Sequence, residues 1–287
     1  MTIEKLALLV PIYKQAKHWE LILKGIESNP STPGKVYALM DRATDEEYEL
    51  VKQLSDSSEI NIEVIRCPVP PHYLVNRKSS GDPFYVGYIR NYGLDRAIAE
   101  GFEQFIFIDG DCIPQSGLFI SHSNKLSADL PVLSIGRRRE QKFRWKDQRE
   151  ISPEFTHLDI FRTEGMLINN PELITSCVIV WSCNIGLNLT LVKLLKKFNN
   201  KYYSREEVFS SEFLGEWGGE DGFLGIQSWY VRAFITTVGE VKCGVQHIDH
   251  PRPKDKYTIN HKDYFQEQVK RLRVKTKLHP LDIEFFN

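Results

Sequence analysis

The sequence lacks a long apolar run, a cysteine pair and a strong net charge. No hydrophobic stretch is long enough to cross a bilayer, and the Leu6–Val10 run is too short for the core of a signal peptide. The five cysteines are scattered without a C-x-x-C pair, which favours reduced thiols of a cytosolic protein. A net charge of −1 predicts no nucleic-acid partner. We therefore expect a cytoplasmic protein.

The first 135 residues alternate strand and helix signals. Strands are predicted at Leu6–Val10, Lys35–Met40, Ile60–Ile65 and immediately before Asp109, and helices at Ala16–Ile26, Thr44–Leu54, Val86–Glu100 and, further on, Leu189–Phe198. This order predicts the α/β class, with a mostly parallel central sheet and helices on both faces. Ligands of such sheets bind beyond the carboxyl ends of the strands, where Pro11, Asp41 and Asp109 fall.

The segment Phe105–Pro114, FIFIDGDCIP, carries the clearest chemical signal. Its apolar run delivers Asp109 and Asp111 to a strand end, and side chains two apart on an extended chain point the same way. Paired carboxylates there suit a divalent cation that also holds phosphate oxygens, usually Mg²⁺ or Mn²⁺. The alternative is an Asx-turn that only ends the strand.

The segment Phe213–Gly222, FLGEWGGEDG, combines a glycine turn with an aromatic residue and two acids. Trp217 offers a flat apolar face on which a sugar ring can stack, and Glu220 and Asp221 can accept hydrogen bonds from sugar hydroxyls. The two acids also precede an apolar helical run. The structural alternative is therefore that they cap this helix while Trp217 fills the core.

Two histidines lie close together in Gln246–Arg252, QHIDHPR, after a strand predicted at Glu240–Val245. A single histidine is more often structural than metal-binding, but His247 and His250 occur in a chain that already offers D-x-D. A site with carboxylate and imidazole ligands would favour Mn²⁺ over Mg²⁺.

Five segments in this order give the chain a family resemblance. They are LVPIYK (Leu9–Lys14), MDRATDEE (Met40–Glu47), the long GYIRNYGLDRAIAEGFEQFIFIDGDC (Gly87–Cys112), EWGGEDG (Glu216–Gly222) and HIDHPR (His247–Arg252). Together they resemble a nucleotide-sugar glycosyltransferase of the GT-A fold, family 2-like, with a C-terminal region similar to the galactosyltransferase and N-acetylgalactosaminyltransferase branch. The resemblance implies one catalytic domain over residues 1–252, with a nucleotide-binding half (1–112), an acceptor-binding half (113–252) and a helical extension (253–287).

The resemblance also implies roles on the donor side. The nucleotide-sugar-binding set would be Pro11, Tyr13, Asp41, Arg90 and Asp109. Asp41 resembles the acid that accepts the uracil N3–H, and Arg90 the arginine near the nucleotide and diphosphate. Asp109 would contact the ribose, or the metal through water.

The metal and acceptor roles follow in the same way. Asp111 and His250 resemble direct ligands of Mn²⁺ or Mg²⁺, and His247 a further ligand of the galactosyltransferase branch. Asp221 resembles the catalytic base, Glu220 an acceptor-hydroxyl contact and Trp217 the platform on which the sugar stacks.

Some positions depart from the family pattern. Family 2 enzymes usually have two adjacent acids and a serine at the second-strand motif, whereas this chain has MDRAT (Met40–Thr44). The contacts to the nucleoside are therefore expected to differ from those of the family. The retaining branch has asparagine at the position of Asp221, so the sequence favours inversion. The resemblance implies transfer of a hexosyl or N-acetylhexosaminyl group from a UDP-sugar to a glycan or lipid-linked acceptor, in surface polysaccharide synthesis.

Three other classes of function fit the sequence less well. A sugar nucleotidyltransferase should have a glycine-rich basic loop after its first strand, and here that stretch is PIYKQAKHW, without glycine. Phosphohydrolases of the D-x-D type usually carry the motif on the first strand, not near residue 109. The third class is a non-catalytic carbohydrate-binding protein on a decayed transferase fold. The intact set Asp109, Asp111, Glu220, Asp221 and His250 argues against it.

Two basic segments remain. Seven of the thirteen residues in Arg137–Arg149 are Lys or Arg, which fits either a lid or acceptor loop or a solvated surface. The C-terminal stretch Lys254–Lys277 is basic with interleaved apolar residues. The two interpretations are peripheral contact with anionic membrane at the inner face and, as the favoured one, a helix packed on the core.

Overall fold

A computed structural model describes residues 1–70, 86–136, 138–141, 183–210, 220–238 and 244–248. Within these ranges the strands are β1 (Thr2–Ile12), β2 (Thr32–Met40), β3 (Ile62–Arg66), β4 (Gln104–Ile108), β5 (Cys112–Pro114), β6 (Val132–Ile135), β7 (Arg138–Gln141), β8 (Asn184–Asn188), β9 (Phe234–Thr237) and β10 (Val245–Ile248). The α-helices of the same ranges are α1 (Trp19–Glu27), α2 (Asp45–Asp56), α3 (Val86–Ala99), α4 (Leu118–Leu126), α5 (Leu189–Tyr203) and α6 (Glu220–Tyr230).

Seven of these strands form one sheet, in the order β3-β2-β1-β4-β8-β6-β9. Strand β8 runs antiparallel to both of its neighbours, and every other pairing in the sheet is parallel. The other three described strands form a small sheet in the order β5-β10-β7. The predicted α/β class with a mostly parallel central sheet is confirmed.

Strand β1 is buried on both of its faces because the whole run Leu6–Val10 is apolar. Successive side chains alternate between two cores. Leu8 lies in one core with Trp19 of α1, and Leu9 lies in the other with Leu94 of α3. Helices therefore cover both faces of the sheet, as the sequence pattern predicts.

The helix predicted from Thr44 begins there for a local reason. The Thr44 hydroxyl accepts the Glu47 N–H at 3.2 Å, and the Glu47 carboxylate accepts the Thr44 N–H at 3.0 Å. This reciprocal capping satisfies two donors that the first turn of a helix leaves open. None of the helices within the described residues has the length and apolar content to cross a membrane.

Helix α3 lies unusually close to the sheet at Gly93. A Cβ atom at this position would overlap the Leu39 and Leu9 side chains. Glycine thus allows the helix backbone to approach the sheet closely. The close approach matters because Arg90 and Asn91 lie within one turn of Gly93 on the same helix.

Some sequence-based boundaries need correction. Strand β10 begins at Val245, near the end of the strand predicted at Glu240–Val245, so His247 lies within a strand and not after one. Strand β7 forms in the basic segment for which no element was predicted. Both strands are set by pairing with each other, and pairing between distant segments leaves no local signal. Residues 142–149 of the basic segment and the C-terminal stretch 253–287 lie outside the described residues.

The order of the strands locates the ligand edge of the sheet. The chain builds outward from β1 through β2 to β3, then returns to place β4 on the other side of β1. The crevice at such a reversal, beyond the carboxyl ends of the strands, is where open α/β sheets bind ligands. The register pairs Leu9 with Phe107, so Asp109 follows β4 beside the end of β1.

A buried polar network joins α4 to β6 and β8. His122 Nε2 lies 2.9 Å from Asn184 Oδ1, and His122 Nδ1 lies 2.7 Å from Ser134 Oγ. Because the amide oxygen can only accept, Nε2 carries a proton. The Ser134 hydroxyl lies between two acceptors, since it is also 3.3 Å from the Gly186 carbonyl oxygen. Burial lowers the pKa of His122 to about 4, so the imidazole is neutral at neutral pH.

This lowered pKa predicts a loss of stability in acid. In the unfolded chain His122 has its ordinary pKa of 6.5, so below that pH the unfolded chain binds a proton that the folded protein does not. The stability of the folded protein therefore falls as the pH drops from 6.5 towards 4. From pH 7 to pH 5 we expect His122 to cost about 2 kcal/mol of unfolding free energy. Urea unfolding of wild type and His122→Asn at both pH values isolates this term, because the other titrating groups are common to both. Equal pH dependence of the two proteins would contradict it.

Candidate active site

The D-x-D segment forms a tight turn against the end of β1. The Cys112 N–H donates to the Asp109 carbonyl at 3.0 Å, which turns the chain from β4 into β5. A Cβ atom on Gly110 would lie 2.8 Å from the Pro11 carbonyl oxygen and 2.9 Å from Gln15 Oε1. Only glycine therefore lets the turn pack this closely, and Pro11 forms the wall beside it.

Asp111 lies beside His247, although they are far apart in the sequence. Strand β10 pairs with β5, and the Ile248 N–H donates to the Asp111 carbonyl at 2.8 Å. His247 Nε2 lies 3.3 Å from Asp111 Oδ2, and both side chains are buried. Gln15 Nε2 donates to the same oxygen at 2.8 Å. Gln15 is a site residue that the sequence did not predict, because an amide in a loop has no recognisable pattern.

The Asp111–His247 pair fits part of a metal site. A carboxylate and an imidazole are suitable ligands for Mn²⁺, and these two side chains are near enough to share one ion after small adjustments. Within the described ranges no group of three His, Cys, Asp or Glu side chains could hold an ion. His250, predicted as a ligand, lies outside the described residues.

A buried arginine connects the two halves of the site. Arg90 Nη2 donates to Asp109 Oδ1 at 2.7 Å, and Arg90 Nη1 donates to Glu220 Oε1 at 3.0 Å. The Arg90 side chain is only 2% exposed, whereas that of Asp109 is 35% exposed. The guanidinium is thus enclosed, and Asp109 keeps a face towards solvent.

Electrostatics keep this arginine charged and perturb Glu220. Burial lowers the pKa of Arg90, but the carboxylates of Asp109, Glu220 and Asp221 outweigh it and raise the pKa overall. Burial, with the nearby Asp221 charge, raises the pKa of Glu220 to about 7, although Arg90 opposes the rise. A carboxyl group that titrates near neutrality is typical of active sites.

Glu220 and Asp221 form the first turn of α6, as the sequence pattern predicts. Glu220 is buried, whereas Asp221 is half-buried and its Oδ1 accepts the Gly222 N–H at 2.7 Å. Asp221 is therefore the more accessible of the two acids to an approaching hydroxyl group. Trp217, the predicted stacking platform, lies outside the described residues.

The expected nucleoside site contains a residue that the sequence did not indicate. Arg42 Nε and Nη2 each donate to the Asp41 carboxylate at 3.0 Å, and the Arg42 guanidinium lies 4.3 Å from the centre of the Tyr13 ring. Arg42 has a φ of +48°, a conformation that L-residues rarely adopt. A uracil ring bound to Asp41 would have to share this carboxylate with Arg42 or displace it.

The fold brings the predicted residues together at one edge of the sheet. Pro11 and Tyr13 lie at the end of β1, Asp41 follows β2, and Asp109 follows β4. Arg90, Glu220, Asp111 and His247 join this edge through the contacts described above. The roles of these residues remain predictions.

Comparison with solved structures settles the fold. The sequence matches no protein-family model and no curated protein. Staphylococcus aureus TarS 1–349 in complex with UDP-GlcNAc aligns with 96% of this chain and 68% of its own, at a TM-score of 0.59 and 14% identity. The chain has a GT-A fold.

A second solved protein is similar over most of its own length. Glucosyl-3-phosphoglycerate synthase from Mycobacterium tuberculosis, with Mn²⁺, UDP and phosphoglyceric acid, covers 95% of this chain and 78% of its own, at a TM-score of 0.51 and 15% identity. Its complex with glucosyl-3-phosphoglycerate, UDP and Mn²⁺ covers 96% and 81%, at a TM-score of 0.52 and 14% identity. Identities this low establish a shared fold and leave the activity to be argued from the site.

The Gly110 contact gives a prediction that tests the geometry of the D-x-D turn. Gly110→Ala should push the turn away from Pro11 and destabilise the protein by about 1–3 kcal/mol. Urea unfolding measures the difference in stability. Gly87→Ala is the matched control, because its Cβ would make only ordinary contacts at 3.5 Å or more. Equal stability of Gly110→Ala and wild type would contradict the prediction.

Proposed function

We propose that this protein is a metal-dependent glycosyltransferase that moves a hexosyl or N-acetylhexosaminyl group from a UDP-sugar to an acceptor hydroxyl with inversion. The observation that carries the proposal is that Arg90 bridges Glu220, which precedes Asp221, to Asp109 of the D-x-D turn, while Asp111 of the same turn contacts His247. The Asp111–His247 pair can serve the departing diphosphate and the acids of α6 the attacking hydroxyl.

The donor half is assigned to the edge where β1, β2 and β4 end. Tyr13 and Asp41 would bind the uracil ring, and Asp109 the ribose, while Asp111 and His247, joined by His250, would hold Mn²⁺ or Mg²⁺. The ion, when bound, supplies charge that stabilises the departing diphosphate. The solved glucosyl-3-phosphoglycerate synthase contains UDP with Mn²⁺ or with Mg²⁺, which supports this choice.

The acceptor half is assigned to the first turn of α6. Asp221 removes the proton of the acceptor hydroxyl as that oxygen attacks the anomeric carbon, and the bond from that carbon to the diphosphate oxygen breaks. Glu220, buried beside it, orients the hydroxyl, and Trp217 stacks against the sugar ring. Inversion follows because a single displacement attacks from the face opposite the leaving group.

The acceptor is proposed to be a glycan or a lipid-linked glycan in surface polysaccharide synthesis. The catalytic unit would comprise residues 1–252, and the basic stretch 253–287 could contact an anionic membrane when the acceptor is lipid-linked. This assignment rests on the family resemblance and on the basic composition of the C-terminal stretch.

Metal dependence is the first test of this function. Binding of UDP should require a divalent ion, with Mn²⁺ the best, and Asp111→Ala should reduce the affinity in the presence of Mn²⁺ at least about 100-fold because a direct ligand is removed. Calorimetry with Mn²⁺ and with excess chelator measures this. Asp129→Ala, at an exposed position, is the control. Equal UDP affinity with and without chelator would rule out the proposed metal site.

The second test separates catalysis by Asp221 from helix capping. Asp221→Asn keeps the shape and can still cap α6, so we expect normal UDP binding, a stability change within about 1 kcal/mol and a kcat lower by about 10² to 10⁴. The assay is release of UDP from whichever UDP-sugar the wild type turns over. Asp45→Asn, which alters an acid in the first turn of α2, is the control. Turnover within a few-fold of wild type would move the base assignment to Glu220.

A further inference from the structure

Two consecutive residues of α3 bind the chain on both sides of the segment 211–219. Arg90 contacts Glu220, which comes directly after this segment, and Asn91 contacts Val208 and Phe209, which come shortly before it. Residues 211–219 themselves lie outside the described residues. The structure describes the chain on either side of this segment, up to Ser210 and from Glu220 onward.

Asn91 binds the chain just before the segment 211–219. Its Oδ1 accepts the Val208 N–H at 3.1 Å and the Phe209 N–H at 2.9 Å, and its Nδ2 donates to the Phe209 carbonyl at 2.7 Å. The Phe209 ring packs edge-on against Phe107 of β4, with ring centres 5.0 Å apart. A single amide side chain therefore ties this backbone to the helix and orients the ring against the D-x-D strand.

Arg90 binds the chain just after the segment 211–219. Its two terminal nitrogens bind different carboxylates, Glu220 at 3.0 Å and Asp109 at 2.7 Å. Its guanidinium also lies 5.4 Å from the Phe209 ring, so it contacts the residue that Asn91 fixes. A planar guanidinium with several N–H donors can bridge two carboxylates in a fixed geometry, whereas the single ammonium of lysine cannot reproduce this geometry.

We propose that Arg90 and Asn91 form a clamp that positions the first turn of α6, with Glu220 and Asp221, relative to Asp109. This inference rests on the proposed function and extends it. Arg90 and Asn91 are positioning residues in this role, because they act through Glu220, Phe209 and Asp109. The clamp sets the distance between the acid pair of α6 and the D-x-D turn, and so determines whether the base reaches the hydroxyl.

Burial distinguishes this role from that of a surface ion pair. An exposed pair would be screened and of little consequence, but Arg90 and Glu220 are both buried. Removing one partner leaves the other charge without compensation, and a small change in the bridge then moves the first turn of α6. A shift of about 1 Å in a catalytic group can reduce the rate about 100-fold.

The first experiment uses hydrogen exchange and does not depend on activity. If the clamp acts as a unit, Asn91→Ala should speed amide exchange at 208–210 and also at residues 220–224, the start of α6. The second region is informative because, among the hydrogen bonds described, Asn91 makes none to it. Asn91→Asp, which keeps the Oδ acceptor, should show a smaller effect. Faster exchange confined to 208–210 would overturn the proposal, whether or not the protein transfers sugar.

The second experiment measures coupling through kinetics. Arg90→Lys and Glu220→Gln should each lower the rate of UDP release from the UDP-sugar that wild type turns over by about 10- to 100-fold. The double variant should be no slower than the slower single variant, because both remove one bridge. Calorimetry of UDP with Mn²⁺ shows whether the donor side survives. A double variant slower by the product of the two single effects would overturn the clamp.

These measurements keep the two proposals separate. If wild type binds no UDP and turns over no UDP-sugar, the proposed function fails. The hydrogen-exchange experiment alone then tests whether Arg90 and Asn91 form the clamp. If wild type is active and the variants lose only stability, with the rate per folded molecule preserved, the clamp is overturned and the transferase assignment stands.

Discussion

The arginine buried between two carboxylates is the constraint on which the rest of the site depends. Arg90 is enclosed by the core, and nearby carboxylates keep it charged: Asp109 and Glu220 bind it at 2.7 and 3.0 Å, and Asp221 adds to their effect. A buried cation of this kind requires both partners, so the D-x-D turn, α3 and the start of α6 must be positioned together. Gly93 allows α3 to approach the sheet closely, and Arg90, on the same helix, reaches both carboxylates.

The GT-A sheet supplies the frame for this bridge. Because β1 is flanked by β2 and β4, the ends of three parallel strands meet at the reversal in strand order, where open sheets bind ligands. The small sheet adds His247 beside Asp111, and α6 adds its two acids from the other side. The acids of the D-x-D turn and of α6 thus come from segments about 100 residues apart in the chain, joined by one side chain.

Local patterns predicted the helices α1, α2, α3, α5 and α6 and the first four strands because their signals are short-range, whereas α4 was not predicted. The run Leu6–Val10 is apolar throughout because both faces are covered, and Thr44 with Glu47 marks the start of α2 through reciprocal capping. Strands β7 and β10 were missed or displaced because they exist through pairing with each other. Gln15 and Arg42 were missed because an isolated polar residue in a loop has no periodicity or spacing that would identify it.

The sequence by itself determined the α/β class, the order of the elements up to β4 and the acids at the strand and helix ends, because apolar periodicity and capping are encoded by neighbouring residues. Only the tertiary structure decided which of these acids share a cation. Arg90 was expected to lie near the nucleotide, and the fold gives it Asp109 and Glu220 as partners, the second of them 130 residues away. Such pairings depend on helix packing and on the dielectric environment of the core, neither of which is a property of a local segment.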